Sequence, residues 1–509
     1  MPSTAGPLIT LHKLEKLRSV GKWLQESRRQ LEKYSTARHH LGFYYNVAVS
    51  AVYSLSGALH RPLKGYIHKA CGDLICQHPI LSAVPVGEDC NDTYFVRLPK
   101  IDLNESIFFE DWDCSFSEEG HDYQENSGGR LWERKLDELL QTQHNTAFAP
   151  GLPVWRLYIL TDGHIKRRFL AVFVYHHAIG DGSSGKAFHA SFLQALTGAL
   201  SLDLENTEAI VKPPNTPLLP SLESLHSLRS SLFFILKAVF NSKIWSRRDP
   251  RLWTGGKMSL PLKSLVHHIA LPAPTTTALK HLCREHRTTI TATLQTLLAR
   301  ALFARLPGKY TKLRCTGAIS TRRWFSNDII NDHSIGVWVQ DFAENYTREF
   351  VATPASFPWA EAQRSRETIE AALRRRGKNT NVGLLKFIKD YHGELLTCMI
   401  GKERSLSFEV SNIGVFNAVS PTSPDAEVGK EGVDKDVTPA SQRPKIDRMI
   451  FSQSANVVGS AVNLSVITGG DGCLVLTFSW QEGVVEAELM ASVMEQLKKE
   501  IDLLLDNAH

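Results

Sequence analysis

His176 and His177 stand at the end of an apolar run, Phe169-Leu170-Ala171-Val172-Phe173-Val174-Tyr175, and three residues later comes Asp181-Gly182. A histidine leaving a strand at its end projects into whatever cleft the sheet faces. With an ordinary pKa of roughly 6.5 it can take up a proton near neutral pH. His177 is therefore the candidate general base. Asp181 is suited to hold the turn or pair with a cation, and Gly182 permits a backbone shape or an approach that a Cβ forbids. Composition alone produces His-His-x-x-x-Asp-Gly on the order of a few times per thousand chains of this length, so the pattern carries weight. A bare His-His does not. His39-His40 and His267-His268 lack the Asp-Gly that follows and receive no role.

The same stretch admits a second chemistry. Gly180-Asp181-Gly182-Ser183-Ser184-Gly185 reads Gly-x-Gly-x-x-Gly between a strand and a helix, the setting of a dinucleotide-binding fingerprint, with Asp203 at a suitable distance. Against it, a glycine-bearing chain of this size shows that spacing by chance on the order of one time in seven. The short piece from Leu200 to Leu204 is also a poor second strand, and proline-rich sequence follows. A nicotinamide oxidoreductase therefore remains only an alternative. His177 and Asp181 are four apart, as metal ligands on a helix face would be, but no third ligand stands at a recognisable spacing, and no metal is expected. Metalloprotease, nucleophile-elbow, phosphate-loop and kinase signatures are all missing from the sequence.

The elements that must hold these residues alternate. Strands are predicted at 46–55, 93–98, 154–160, 169–175, 266–271, 313–320, 335–341, 405–415, 456–468 and 473–480. Helices are predicted at 9–34, 61–77, 186–200, 275–287, 290–306, 358–376, 381–399 and 485–505. Residues 102–129 are acidic and read as a solvated loop, and 420–443 as a disordered insertion rich in Pro, Ser, Asp and Lys. The proline-bearing stretch 206–260, with one apolar helix at 232–244, reads as a crossover between an N-terminal lobe, 1–205, and a C-terminal lobe, 261–509. The expected class is α/β, in the mixed α+β sense, with two lobes.

Composition narrows the partners. The 509 residues are 43% hydrophobic and 22% charged, as in ordinary globular proteins, and 58 basic against 53 acidic residues give +5, too mild a charge for a nucleic-acid partner. The 8 cysteines show no zinc or disulfide-framework spacing, and no secretory signal opens the chain, so a reduced, cytoplasmic protein is expected. The basic, Trp-bearing helix 9–34 and the run from Leu232 to Ile244 fit packing on the body. They also fit peripheral contact with an endoplasmic-reticulum or lipid-droplet surface.

The motif His176-His177-x-x-x-Asp181-Gly182 resembles that of the coenzyme A dependent acyltransferases, which include chloramphenicol acetyltransferase and peptide-synthetase condensation domains. Within them the chain is most similar to the fungal alcohol acetyltransferase family. The resembling pieces are Leu31-Glu32-Lys33-Tyr34, Arg38-His39-His40-Leu41-Gly42, Tyr175 to Gly182, Trp253-Thr254-Gly255, Ser411-Asn412-Ile413-Gly414-Val415-Phe416, Phe451-Ser452-Gln453-Ser454 and Gly469 to Trp480.

The resemblance implies two chloramphenicol acetyltransferase-like lobes with an active-site tunnel between them. It also implies acetyl-CoA as co-substrate, no resident cofactor, and a hydroxylated small molecule as acceptor. His177 is then the base, and His176 and Gly182 support it. Arg322 or Arg323, in Thr321-Arg322-Arg323-Trp324, pairs with Asp181. Ser411, Asn412 and Gly414 are substrate-side, with Ser411, Asn412 or a backbone N–H near Gly182 as alternative oxyanion donors. A monomer is expected. The expected activity is O-acetylation of a secondary metabolite such as a terpenoid or polyketide. The alternatives are ester formation from simple volatile alcohols and a non-catalytic lipid or partner binder.

Overall fold

The uninterrupted apolar run from Phe169 to Tyr175 requires cover on both faces, which only a central strand receives. The structure is a computed structural model describing residues 29–506 apart from 58, 113, 115, 117–122, 125–128, 163–166, 204–207, 244–248, 353–355 and 418–442. In it Arg168–Tyr175 is the middle strand of a five-stranded sheet, buried from Phe169 onward. The order across this first sheet is Lys445–Gln453, Val47–Ser54, Arg168–Tyr175, Trp155–Asp162, Ile107–Trp112. The helix Gly182–Leu200 packs against it. Phe188 stacks on Phe173 with ring centroids 3.6 Å apart. His189 donates from Nε2 to the Val49 carbonyl at 2.8 Å and accepts from the Tyr53 hydroxyl at Nδ1, 2.9 Å away.

The second sheet has six strands, ordered Ser264–Leu271, Leu474–Gln481, Ser460–Thr468, Leu406–Val415, Lys312–Ser320, Val339–Thr347. Helices Ala273–Glu285, Ile290–Arg305 and Ala487–Asp506 contribute to its core, with Leu294, Leu298 and Leu302 meeting Val493 and Leu497. One strand crosses between the sheets. Lys445–Gln453 lies in the chain between two second-sheet strands, yet it pairs antiparallel with Val47–Ser54, Ser50 facing Ile450. Val266, Ile467 and Val475 of the second sheet in turn join the first core.

The segment 102–129 is not only a solvated loop. Ile107–Trp112 forms an edge strand parallel to Trp155–Asp162, with Ile107 and Trp112 buried while Glu110 and Asp111 face out. Its acidity marks a protected sheet edge. The strand predicted at 335–341 begins instead at Val339. Gly336 and Trp338 spend their backbone groups on Ser184 and Asp181 and cannot join the ladder. The helix predicted at 381–399 breaks into Asn381–Leu384 and short turns, because the Asp390 carboxylate accepts from the N–H groups of His392 and Gly393 and starts a new turn there. Most of the predicted helix 9–34 and the insertion 420–443 lie outside the described residues, which resume with helix Gln30–His40 and at 443. No described helix is long and apolar enough to cross a membrane.

A Cβ at Gly185 would stand 2.3 Å from Val49 Cγ2 and 3.0 Å from the Tyr175 hydroxyl. Gly185→Ala is therefore expected to destabilise the fold by about 1–3 kcal/mol through overpacking. Val49→Ala in the same chain should recover part of the loss, both read as denaturation midpoints.

Candidate active site

The first-sheet strand ends at Tyr175, and the chain turns at once. His176 is fully buried; its N–H reaches the Val154 carbonyl at 2.9 Å, and its Nδ1 accepts from the Ala178 N–H at 2.8 Å. That bond puts the ring proton on Nε2, which points to Glu88 Oε1 at 3.6 Å. His39 faces the same carboxylate. It accepts from the Phe148 N–H at Nε2, 3.2 Å away, and donates from Nδ1 to Glu88 Oε2 at 2.9 Å. The cluster His39, Glu88 and His176 is compact enough for a metal ion. Both rings, however, have given their lone pairs to backbone N–H groups, and the nitrogens nearest Glu88 carry protons. The three residues form a brace, His39 hydrogen-bonded to Glu88 and His176 within 3.6 Å of the same carboxylate, and do not fit a metal.

Asp181 ends the turn and caps the helix Gly182–Leu200, Oδ1 accepting from the Ser184 N–H at 3.1 Å. Its carboxylate is saturated. Arg322 donates from Nη1 to Oδ2 at 2.7 Å and from Nη2 to Oδ1 at 2.9 Å; the Trp338 N–H adds 3.0 Å and the Ser184 hydroxyl 3.1 Å. Arg322 sits in the turn after strand Lys312–Ser320, so this bidentate pair joins the end of a strand in one sheet to the end of a strand in the other. Both partners are almost fully buried. Arg323 is exposed and takes no part in the pair.

Gly182 lets this turn approach the second sheet: a Cβ there would meet Ile413 Cγ2 at 2.8 Å and Phe451 Cζ at 2.9 Å. Lys186, one helical turn on, donates to the Ile413 carbonyl at 3.0 Å. These contacts fill the space over Gly182 that a pyrophosphate would need, and Asp181 already occupies the helix N-terminus, so the glycine spacing is a packing feature.

His177, between the brace and the clamp, is half-buried. Its Nδ1 is enclosed without a partner in good hydrogen-bond geometry, while its own backbone carbonyl acts on the ring as an acceptor. A proton on Nδ1 leaves Nε2 as the open lone pair. Burial first, then the Arg38 charge, lower the ring's pKa to about 4, so it is neutral at physiological pH. The Tyr44 ring lies 5.6 Å from it.

Among the substrate-side residues, Ser411 is buried in strand Leu406–Val415, where it pairs with Ser465. Asn412 donates to the Thr291 hydroxyl at 3.0 Å and accepts from the Gly414 N–H at 2.8 Å, so its amide is engaged locally. Gly414 holds φ +81°, a conformation that favours glycine. Glu88, Arg38, Tyr44 and Lys186 were not assigned roles from sequence. Only Arg38 lay in a segment already singled out, and the others carry no local signature.

Removing one partner of a buried ion pair leaves an uncompensated charge, which costs about 3–5 kcal/mol. Asp181→Asn should lose stability on that scale. Adding Arg322→Met should restore most of it without restoring activity, as followed by denaturation and thiol release side by side.

The alcohol acetyltransferase family model matches residues 29–501. An Aspergillus fumigatus protein named "Probable alcohol acetyltransferase crmB" is 33% identical over 490 residues, covering 93% of this chain and 98% of the relative. A Fusarium pseudograminearum protein named "Probable alcohol acetyltransferase FCK4" is 24% identical over 91% of this chain and 92% of its own. Among solved structures, the TRI3 trichothecene 15-O-acetyltransferase of Fusarium sporotrichioides superposes with a TM-score of 0.65 at 12% identity, over 92% of this chain and 94% of that one. The first condensation domain of the calcium-dependent antibiotic synthetase gives 0.59 at 13% identity, over 95% and 96%. These two share the fold of two mixed α/β lobes. The resemblance drawn from the His-His and Asp-Gly motif is borne out: the chain belongs to the alcohol acetyltransferase family, and it is an acyltransferase that acetylates an alcohol.

Proposed function

We propose that the enzyme moves an acetyl group from acetyl-CoA to a hydroxyl of a secondary metabolite, by direct transfer in a ternary complex held in a tunnel between the lobes, with His177 as general base. The observation that carries this is the His177 ring: neutral at working pH, enclosed at Nδ1 and open at Nε2. In the proposed step Nε2 takes the acceptor's O–H proton as that oxygen attacks the thioester carbonyl. The tetrahedral species then expels the coenzyme A sulfur, which leaves with the proton from His177. No covalent acyl-enzyme is required. Asp181, with every acceptor position used, keeps the turn in place and takes no proton. A secondary-metabolite acceptor is favoured over a simple volatile alcohol by the likeness to a trichothecene acetyltransferase.

His177→Ala should lower acceptor-dependent thiol release from acetyl-CoA by about 10²- to 10⁴-fold, the usual contribution of a positioned base. A smaller loss would remove His177 from the step. Because the folded ring's pKa lies below the ordinary 6.5, the neutral, competent form persists as pH falls and is lost only near pH 4. The acidic limb of kcat/KM, measured in brief assays on protein stored at neutral pH, should accordingly fall near pH 4 and not near 6.5.

Peripheral membrane contact is part of the proposal. It is supported by helix Leu232–Lys243, where Leu232, Phe233 and Leu236 are 71%, 77% and 58% exposed. The full chain is expected to float with anionic liposomes, and protein that stays entirely in the soluble fraction would exclude this contact.

A further inference from the structure

Four arginines are buried among the described residues, and three of them donate hydrogen bonds to carboxylates, carbonyls or an amide oxygen. Arg322 pairs with Asp181. Arg448 pairs with Asp471 at 2.6 Å and Glu133 at 3.4 Å. Arg404 donates to the carbonyls of Asn456 and Val457 and to Gln481. Arg38, 9% exposed near the end of helix Gln30–His40, is the exception. Its guanidinium makes no hydrogen bond and no ion pair among the described residues, and its Nε is enclosed without a partner. Tyr34 and Tyr44 pack their rings on it at 4.4 and 4.5 Å. Aromatic faces attract the cation and exclude water but accept none of its five N–H hydrogens in ordinary hydrogen bonds. A desolvated charge in that state is costly, and an anion relieves the cost better than any neutral group.

The position of this cation sets which anion can reach it. Tyr44 touches the Arg38 guanidinium on one side and lies 5.6 Å from the His177 ring on the other, so Arg38 stands one aromatic ring from the proposed base. Further donors converge there. The Tyr44 hydroxyl donates to Gln453 Oε1 at 3.2 Å, and the enclosed Gln453 Nε2 has no partner in good hydrogen-bond geometry. Glu409 lies near both Arg38 and Gln453: burial pushes its carboxyl up, while Gln453 and then the Arg38 charge pull it down. The phosphates of acetyl-CoA are separated from the reacting carbonyl by the whole pantetheine arm, so a group this close to His177 belongs to the acceptor. The guanidinium fork matches a carboxylate in plane, with two parallel N–H bonds.

We propose that Arg38, assisted by Gln453, captures a carboxylate on the acceptor, so that the acceptors of this enzyme are hydroxy acids. The assignment rests on the acetyl-transfer reading above and narrows its substrate class.

The test is calorimetric binding to the full chain without acetyl donor, using lactate, mandelate and hydroxydodecanoate, each beside its methyl ester. At least one acid should bind about 10- to 100-fold more tightly than its ester, the worth of a charge-assisted hydrogen-bond pair. Arg38→Met should erase that preference while leaving ester binding in place, which also reports an intact fold, and Arg38→Lys should recover part of it. If no acid outbinds its ester, or if Arg38→Met weakens acid and ester equally, the proposal is overturned. Thiol release dependent on His177 is a separate reading, so the failure of either one is distinguishable from the failure of the other.

Discussion

The ion pair between Asp181 and Arg322 is the constraint on which the rest depends. Its two members come from turns at the ends of strands in different sheets, joined by two parallel bonds. Burying the pair costs desolvation on both sides, so its value lies less in net stability than in allowing only one arrangement of the two turns. Trp338 and Gly336 confirm this reading at the backbone. They leave the neighbouring ladder to serve Asp181 and Ser184, and strand Val339–Thr347 starts later as a result. Sheet pairing has been given up where the clamp needed the groups.

That clamp fixes His177 from one side while the Glu88 brace fixes His176 from the other, and the ring between them is tuned by what surrounds it. Burial and the Arg38 cation both disfavour the imidazolium. A base with so low a pKa is fully available at neutral pH but accepts a proton weakly, and proton-transfer catalysis works best when the two demands balance. An anion seated on Arg38 would cancel one of the two depressing influences and raise the basicity of His177 when the acceptor is in place. Recognition of the acceptor and activation of the base would then use the same charge.

How far the sequence revealed this follows from how local each feature is. The motif from His176 to Gly182 is contiguous and its chemistry is short-range, so it was legible, and so was the central strand that delivers it. Arg322 was within reach because it follows a strand in a short basic run, although only packing separates it from the exposed Arg323. Glu88 was not legible: it has no motif, and a fold is required to bring it beside two histidines from distant segments. The crossover strand Lys445–Gln453 was missed for a related reason. Buried from Ile446 onward apart from a half-buried Asp447, it lacks clean alternation, and it pairs with a strand some four hundred residues earlier in the chain. The edge strand Ile107–Trp112 was hidden by the acidic residues that protect it.

The crossover strand also explains why the two halves cannot be assigned separate tasks. Phe451 of that strand meets the space above Gly182, and Gln453, two residues on, bonds Tyr44 beside the base. Residues from the C-terminal half of the chain thus build the floor under a motif from the N-terminal half. Moving the lobes apart would take Phe451 and Gln453 with the first sheet and Arg322 and Ile413 with the second. A site assembled in this way is disassembled by the loss of either set, so the geometry around His177 reports the docking of the whole fold. It exists only when both sheets are in register.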